Sequence, residues 1–269
     1  MQSFKIEGLS DEALMKFAES PILDLNLDTP EELANIPEEL DDNSEEFEDE
    51  PEEFDDGFYD DNGILMYPIE EIKLNFSDRY MVVGGSESGK STIIRNLLRR
   101  YWATGKIIAT YWFGAHAFLE KEYLAPGRAE SSVNVEKINK LRRVSQKYFK
   151  PKGLFSIIVF DDIMNEKLRG KNEDRFWGEL FTQSRHDNII IICAVHHLKL
   201  QNPTVRNNVK RWIIAESNVN LVDDMHGLSK TICSKKLFRE AVLGITKSQP
   251  LLMDLSENNQ GHEIHKLLV

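Results

Sequence analysis

Residues 79–91 read Arg79-Tyr80-Met81-Val82-Val83-Gly84-Gly85-Ser86-Glu87-Ser88-Gly89-Lys90-Ser91. A short apolar run enters a glycine-rich turn, and the turn opens into a stretch, Ser91 to Tyr101, that reads as a helix. Gly84 to Ser91 fit G-x-x-x-x-G-K-[ST] at every fixed position. Glycines let such a loop fold tightly enough to aim several N–H groups at one phosphate chain. Lys90 adds a point charge for the β- and γ-phosphates, Ser91 a hydroxyl for Mg²⁺, and the helix its positive N-terminal end. The phosphate-binding residues are therefore Gly84, Gly85, Ser86, Glu87, Ser88, Gly89, Lys90, Ser91 and Thr92. A nucleoside triphosphate is the implied ligand.

Outward from this loop, apolar runs near 79–83, 106–112, 155–160, 188–195 and 210–216 read as strands. Helical periodicity falls near 90–103, 132–149, 170–184 and 219–226. Apolar strands alternating with helices indicate an α/β fold, a mostly parallel sheet covered by helices on both faces. The sequence divides into an acidic N-terminal region, 1–62, and a P-loop domain, 63–269.

Leu154-Phe155-Ser156-Ile157-Ile158-Val159-Phe160-Asp161-Asp162 is an apolar strand ending in two carboxylates. Such a strand carries Asp161 to the carboxyl edge of the sheet, where ligands of open α/β sheets sit. Asp161 then holds Mg²⁺ together with Ser91, and Asp162 orients or deprotonates a water. The competing role for Asp162 is a helix cap. The guanine-reading N-K-x-D is absent: Asn139-Lys140-Leu141-Arg142 lacks the acid. The extra strand between the two motifs points away from simple kinases and GTPases, towards the additional-strand, RecA-like class.

The charge is unevenly spread. Residues 1–62 hold 23 acidic and 2 basic side chains, net −21; residues 63–269 hold 22 acidic and 31 basic, net +9. A basic core favours polyanions, nucleic acid first among them, although Lys and Arg also simply cover solvated helix faces. Residues 38–61 carry fifteen carboxylates and no Lys or Arg. This composition reads as disorder: a spacer, a DNA-mimicking strip over the basic core, or a docking tail for a basic partner. Residues 10–19 read as a short helix capped by Ser10. Cys193 lies within an apolar strand and Cys233 is the only other cysteine, so no structural disulfide is expected. The longest apolar run, Ile189 to Val195, is too short to span a bilayer, and the N-terminus lacks a signal-peptide pattern. A soluble intracellular protein is expected.

Residues 183–208 carry a more specific pattern. Gln183-Ser184-Arg185-His186-Asp187-Asn188 leads into the Ile189–Val195 strand, then His196-His197, and later Pro203-Thr204-Val205-Arg206-Asn207-Asn208. This stretch resembles the FtsK/HerA superfamily of ring motors, in particular the poxvirus-type genome-packaging ATPases of large double-stranded DNA viruses. Those carry an Arg-His pair before the fourth core strand, a polar sensor at its end, and a Pro-x-x-[IV]-Arg-Asn segment. Here the last spacing is one residue shorter, and His196 stands where the sensor is commonly Gln.

The resemblance implies a DNA-stimulated ATP hydrolase that translocates double-stranded DNA into a capsid. It implies a homo-oligomeric ring, a pentamer or hexamer, acting at the virion or the host-cell site of virus assembly, with the acidic region as a possible tether to capsid protein. Arg185 is implied as a finger reaching a neighbour's site, with Arg206 and Arg211 as competitors, and His196 as the sensor. The alternatives are a cellular DNA pump of the same superfamily, a small-molecule or nucleoside kinase, or a binding module that uses ATP as a switch.

The stretch 132–152 offers a track for DNA. Val135, Ile138, Leu141 and Val144 form an apolar stripe, and Lys140, Arg142, Arg143 and Lys147 stand among the basic residues around it. Such a helix tracks phosphates without sequence preference, or is an ordinary amphipathic helix.

Overall fold

The structure, a computed structural model, describes residues 58–61, 64–115, 117, 128–162, 173–196, 203–229, 233–255 and 263–269. The acidic region up to residue 57, with its expected helix near 10–19, lies outside the described residues, as do Ile163 and His197.

Among the described residues ten strands form one sheet: β1 Phe58–Tyr59, β2 Leu65–Pro68, β3 Arg79–Val83, β4 Ile107–Gly114, β5 Ala129–Glu130, β6 Phe155–Asp161, β7 Ile189–Val195, β8 Arg211–Ile214, β9 Leu251–Asp254 and β10 Glu263–Leu268. Their order is β1-β2-β10-β9-β8-β3-β7-β6-β4-β5. The central run β8-β3-β7-β6-β4-β5 is parallel throughout. β9 joins β8 antiparallel, β10 joins β9 antiparallel, and β2 pairs parallel with β10. The expected α/β sheet, mostly parallel, is what forms. The strand that follows the P-loop helix in sequence, β4, lies beyond β6. The strand that separates β3 from β6 in space is β7.

The central strands read as unbroken apolar runs because both faces are covered. All seven residues of β7 and all five of β3 are buried. One face packs Met81, Val83, Ile191 and Cys193 under helices α2 Val135–Val144, α3 Glu173–Gln183, α4 Pro203–Asn208, α5 Val219–Ser229 and α6 Lys235–Leu243. The other packs Tyr80, Val82, Ile190 and Ile192 under α1, Lys90–Ala103, whose Ile93, Ile94, Leu97, Leu98 and Tyr101 face the sheet. The α2 stripe of Ile138, Leu141 and Val144 is buried as its spacing predicts. This helix starts at an Asn134 cap, whose side chain accepts from Lys137 N at 3.1 Å. The expected single helix over 132–149 instead passes into a π turn at Ser145–Phe149 and then a 3-10 turn that Gly153 ends in the left-handed conformation.

Candidate nucleotide site

Because the central strands are parallel, their carboxyl ends share one edge, and the loops that leave them meet there. Backbone hydrogen bonds set the row: Gly84 N donates to Val195 O (3.2 Å), Asp162 N to Ala194 O (3.1 Å) and Ala215 N to Val83 O (2.8 Å). The glycine loop, the end of β6, the end of β7 and the end of β8 are thus neighbours.

Within the loop, Glu87 (φ 61°) and Gly89 (φ 94°) adopt left-handed conformations. Gly89 meets this requirement without a Cβ penalty. Alternation of this kind turns successive N–H groups into one concavity, the geometry that receives phosphate. Ser88 is buried, and its Oγ has no hydrogen-bond partner among the described residues. Ser86 and Glu87 are exposed, Ser91 half-buried, and Thr92 exposed on the first turn of α1.

Lys90 is 8% exposed. Its Nζ donates to Gly84 O and Gly85 O at 2.8 Å each, 3.9 Å from Asp162 Oδ2 and 3.5 Å from His196 Nδ1. Burial pushes its pKa below the usual lysine range, and the carboxylates of Asp162, Asp161 and Glu216 oppose that shift.

Asp161 closes β6 opposite Gly114 and Ala194. Asp162 follows with φ 58°, a left-handed turn that Asp tolerates better than most residues. Its Oδ2 lies 2.7 Å from His196 Nε2. One tautomer of a neutral imidazole satisfies both ring contacts: Nε2–H donates to Asp162, and the Nδ1 lone pair faces the Lys90 ammonium. A protonated ring would direct a second N–H at that ammonium. Lys90, His196 and Asp162 thus form one connected set at the loop.

Ser91 and Asp161 offer a hydroxyl and a carboxylate, the hard oxygen donors that Mg²⁺ takes together with phosphate oxygens. Among the described residues no group of three or more His, Cys, Asp or Glu is placed to hold a metal without them. The donors present fit an ion that arrives with its nucleotide.

Arg185 is elsewhere. It is exposed on a 3-10 turn, Ser184–Asp187, before β7, and its Nε donates to His186 Nε2 at 3.2 Å. At about 3.3 Å per residue, the seven residues of β7 put roughly 20 Å between this amino edge and His196. Arg211 is withdrawn from the list of fingers. It is 2% exposed, with its Nε 3.1 Å from Asp78 Oδ2 and 3.0 Å from Asp254 Oδ2, inside the fold. Arg206 is half-buried on α4.

The basic stretch divides in the same way. Arg143 and Lys147 are exposed and Lys140 half-buried. Arg142 is engaged within the fold: its Nε pairs with the fully buried Asp187 at 2.5 Å, and its Nη2 donates to Gln183 Oε1. One residue escaped the sequence reading altogether. Glu216, at the end of the predicted strand 210–216, has its carboxylate on the Gly85 N–H. An acid ending an apolar strand was the available signal, the same one that singled out Asp161.

No family model and no curated protein matches the chain. Solved structures do. The genome packaging NTPase B204 from Sulfolobus turreted icosahedral virus 2, in complex with ATP-gammaS, is similar at TM-score 0.52 and 18% identity, over 73% of this chain and 100% of that one. Its complex with AMPPCP gives 0.53 and 19%, over 72% and 100%. B204, the DNA-packaging ATPase from Sulfolobus turreted icosahedral virus, gives 0.52 and 19%, over 73% and 100%. Identity this low carries the fold. The chain has the P-loop NTPase fold of these packaging ATPases.

Proposed function

We propose that this chain is an ATP-hydrolysing motor that drives double-stranded DNA into a viral capsid, working as a ring of its own copies. The observation that carries hydrolysis is the Lys90–His196–Asp162 set beside Asp161. A loop that only binds nucleotide has no need of a second acid held in place by a histidine. The likeness to packaging ATPases over their whole length supports the packaging reading.

Ser91 and Asp161 would hold Mg²⁺ brought in with the nucleotide, and the ion would supply neutralisation of phosphate charge. Lys90 turns from the carbonyls of Gly84 and Gly85 to the β- and γ-phosphates. Asp162 orients the attacking water and takes its proton, with the carboxylate kept in position by His196 Nε2–H. Gly84 to Thr92 supply the amides and hydroxyls of the cradle. Arg185, roughly 20 Å from its own chain's site, serves the site of a neighbour. The sequence boundary at 62/63 moves: Phe58–Tyr59 pairs with β2 and Asp60 with Lys266, so these residues belong with 63–269 to the motor, and the acidic residues before them tether it to capsid protein or restrain DNA binding in its idle state. Arg143, Lys147 and Lys140 contact DNA phosphates without regard to sequence. Among the described residues no helix is long and apolar enough to cross a membrane, and a place at the site of virus assembly is part of this reading.

Mixing two inactive variants tests it. Lys90→Ala keeps its finger and loses its site; Arg185→Ala keeps its site and loses its finger. Each alone hydrolyses ATP at background. In an equimolar mixed ring, about a quarter of the sites pair an intact pocket with an intact neighbour, so about a quarter of the wild-type rate returns. Long linear duplex DNA stimulates that rate. No recovery in a mixture shown to co-assemble removes the trans finger. Recovery that DNA leaves unchanged removes the DNA motor and keeps the ring ATPase.

A further inference from the structure

β8 leaves the sheet at Ile214, in register with Val83 of β3, and the Ala215 N–H to Val83 O bond holds the next residue against the glycine loop. That residue is Glu216. Its Oε2 accepts the Gly85 N–H. A Cβ on Gly85 would lie 2.6 Å from this oxygen, so a glycine is what lets the carboxylate approach. The peptide groups around Gly85 are engaged on both sides, with the Gly84 and Gly85 carbonyls accepting from Lys90 Nζ. Glu216 also stands on the other flank of the loop from Asp161, Asp162 and His196, since β8 and β7 border β3 on opposite sides. Nearby, Ser217 Oγ donates to Leu243 O at 3.2 Å, so the loop after β8 is tied to the end of α6.

The loop thus holds a carboxylate on one of its amides and its own lysine folded back on its carbonyls. A triphosphate brings several negative charges to the same lysine. Phosphates and Glu216 compete for one positive centre, and at the short range and reduced dielectric of a half-buried loop they repel each other. We propose that Glu216 is a latch on the phosphate loop: it holds the nucleotide-free form, must let go of Gly85 when phosphates enter, and speeds product release by returning. This inference rests on the reading of the loop as a nucleotide site and not on DNA or packaging. Glu216 has this positioning role without touching the reacting atoms. Its negative charge near Lys90 favours the charged ammonium, against the larger effect of burial.

The test is nucleotide binding by the full chain, read as equilibrium titration and stopped-flow displacement of fluorescent ADP and ATP, with inorganic pyrophosphate as competitor. Glu216→Gln keeps the shape and removes the charge. It binds ADP, ATP and pyrophosphate about tenfold tighter than wild type, the equivalent of one charge-assisted hydrogen bond, and releases ADP correspondingly more slowly. A residue that merely braces the loop moves the numbers the other way, because its loss loosens the cradle. Equal or weaker binding by the glutamine variant, with an unchanged melting curve, overturns the latch. Tighter nucleotide with unchanged pyrophosphate also overturns it, by placing Glu216 on the base or ribose. If the glutamine variant does not fold, Glu216→Ala gives the same readout with the same expected direction. If neither wild type nor variant binds any of the three probes, the nucleotide site itself falls. If both bind equally, only the latch does.

Discussion

Arg142→Ala separates the structural reading of the basic stretch from the DNA reading. Asp187 is fully buried, and its carboxylate accepts from Arg142 Nε on one oxygen and from Gln146 Nε2 on the other. Its backbone carbonyl accepts from Ser145 Oγ. Deleting Arg142 leaves a buried carboxylate without its counter-charge. Breaking a buried pair from one side costs about 3–5 kcal/mol, and the surviving Gln146 bond places this case near about 3. For a chain of this size that lowers the melting temperature by roughly 6–12 °C. The assay is thermal unfolding of Arg142→Ala beside Arg143→Ala and Lys147→Ala, whose exposed side chains cost less than about 0.5 kcal/mol each. Arg142→Met combined with Asp187→Leu recovers most of the loss, since an apolar pair of similar volume substitutes well for a buried ion pair. In DNA titrations the order reverses. Arg143→Ala and Lys147→Ala each lower the salt slope by about one, and Arg142→Ala leaves it unchanged below its melting range. An Arg142→Ala protein that melts within about 2 °C of wild type and loses salt slope refutes the assignment of Arg142 to the fold.

His196→Ala lowers kcat for ATP hydrolysis by about 10²-fold with little change in nucleotide affinity, and His196→Gln recovers part of it. The amide can still donate to Asp162 and accept from Lys90; equal rates for the two variants would show that neither contact matters. At the amino edge, burial raises the Asp78 carboxyl from 3.8 to about 6, against the pull of Arg211. A carboxyl raised on folding gives stability that is fully present below about 3.8 and lost as pH rises through about 6, here about 3 kcal/mol. Melting temperature against pH therefore falls less steeply between pH 4 and 6 in Asp78→Asn than in wild type, and identical slopes would show that Asp78 does not carry the shift.

The glycine loop and the strand ending in Asp161-Asp162 were legible because their signals are local. Tight backbone needs glycine, and a strand buried on both faces needs an unbroken apolar run. β3, β6, β7 and β8 could be read for the same reason. β9 and β10 could not. β10 carries His265 and Lys266, both buried, and Lys266 is satisfied by Asp60 at 2.5 Å from the far end of the described chain. No window along the sequence shows such a partner. Arg142 looked like a surface charge because its neighbours in sequence are surface charges, whereas its acid is 45 residues away. Arg211 looked like a free finger until Asp78 and Asp254 closed on it. In each case the sequence displayed the charge and the fold decided what it faced.

The placement of the two arginines also bears on assembly. β7 leads into His196 at the nucleotide edge, while Arg185 precedes it at the opposite edge, and every residue from Ile189 to Val195 is buried. A strand so enclosed is rigid, so no rearrangement of a surface loop brings Arg185 across the sheet to its own phosphate loop. A site that uses Arg185 is completed by another copy, and a contact between the amino edge of one chain and the carboxyl edge of the next is heterologous. Such contacts close into a ring where the rotation between copies permits and run on as a filament where it does not, and neither is a twofold dimer. Arg185, which the sequence offered as the finger, and Arg211, offered as its competitor, thus stand apart: Arg211 holds the sheet through Asp78 and Asp254, and Arg185 lies exposed at the amino edge.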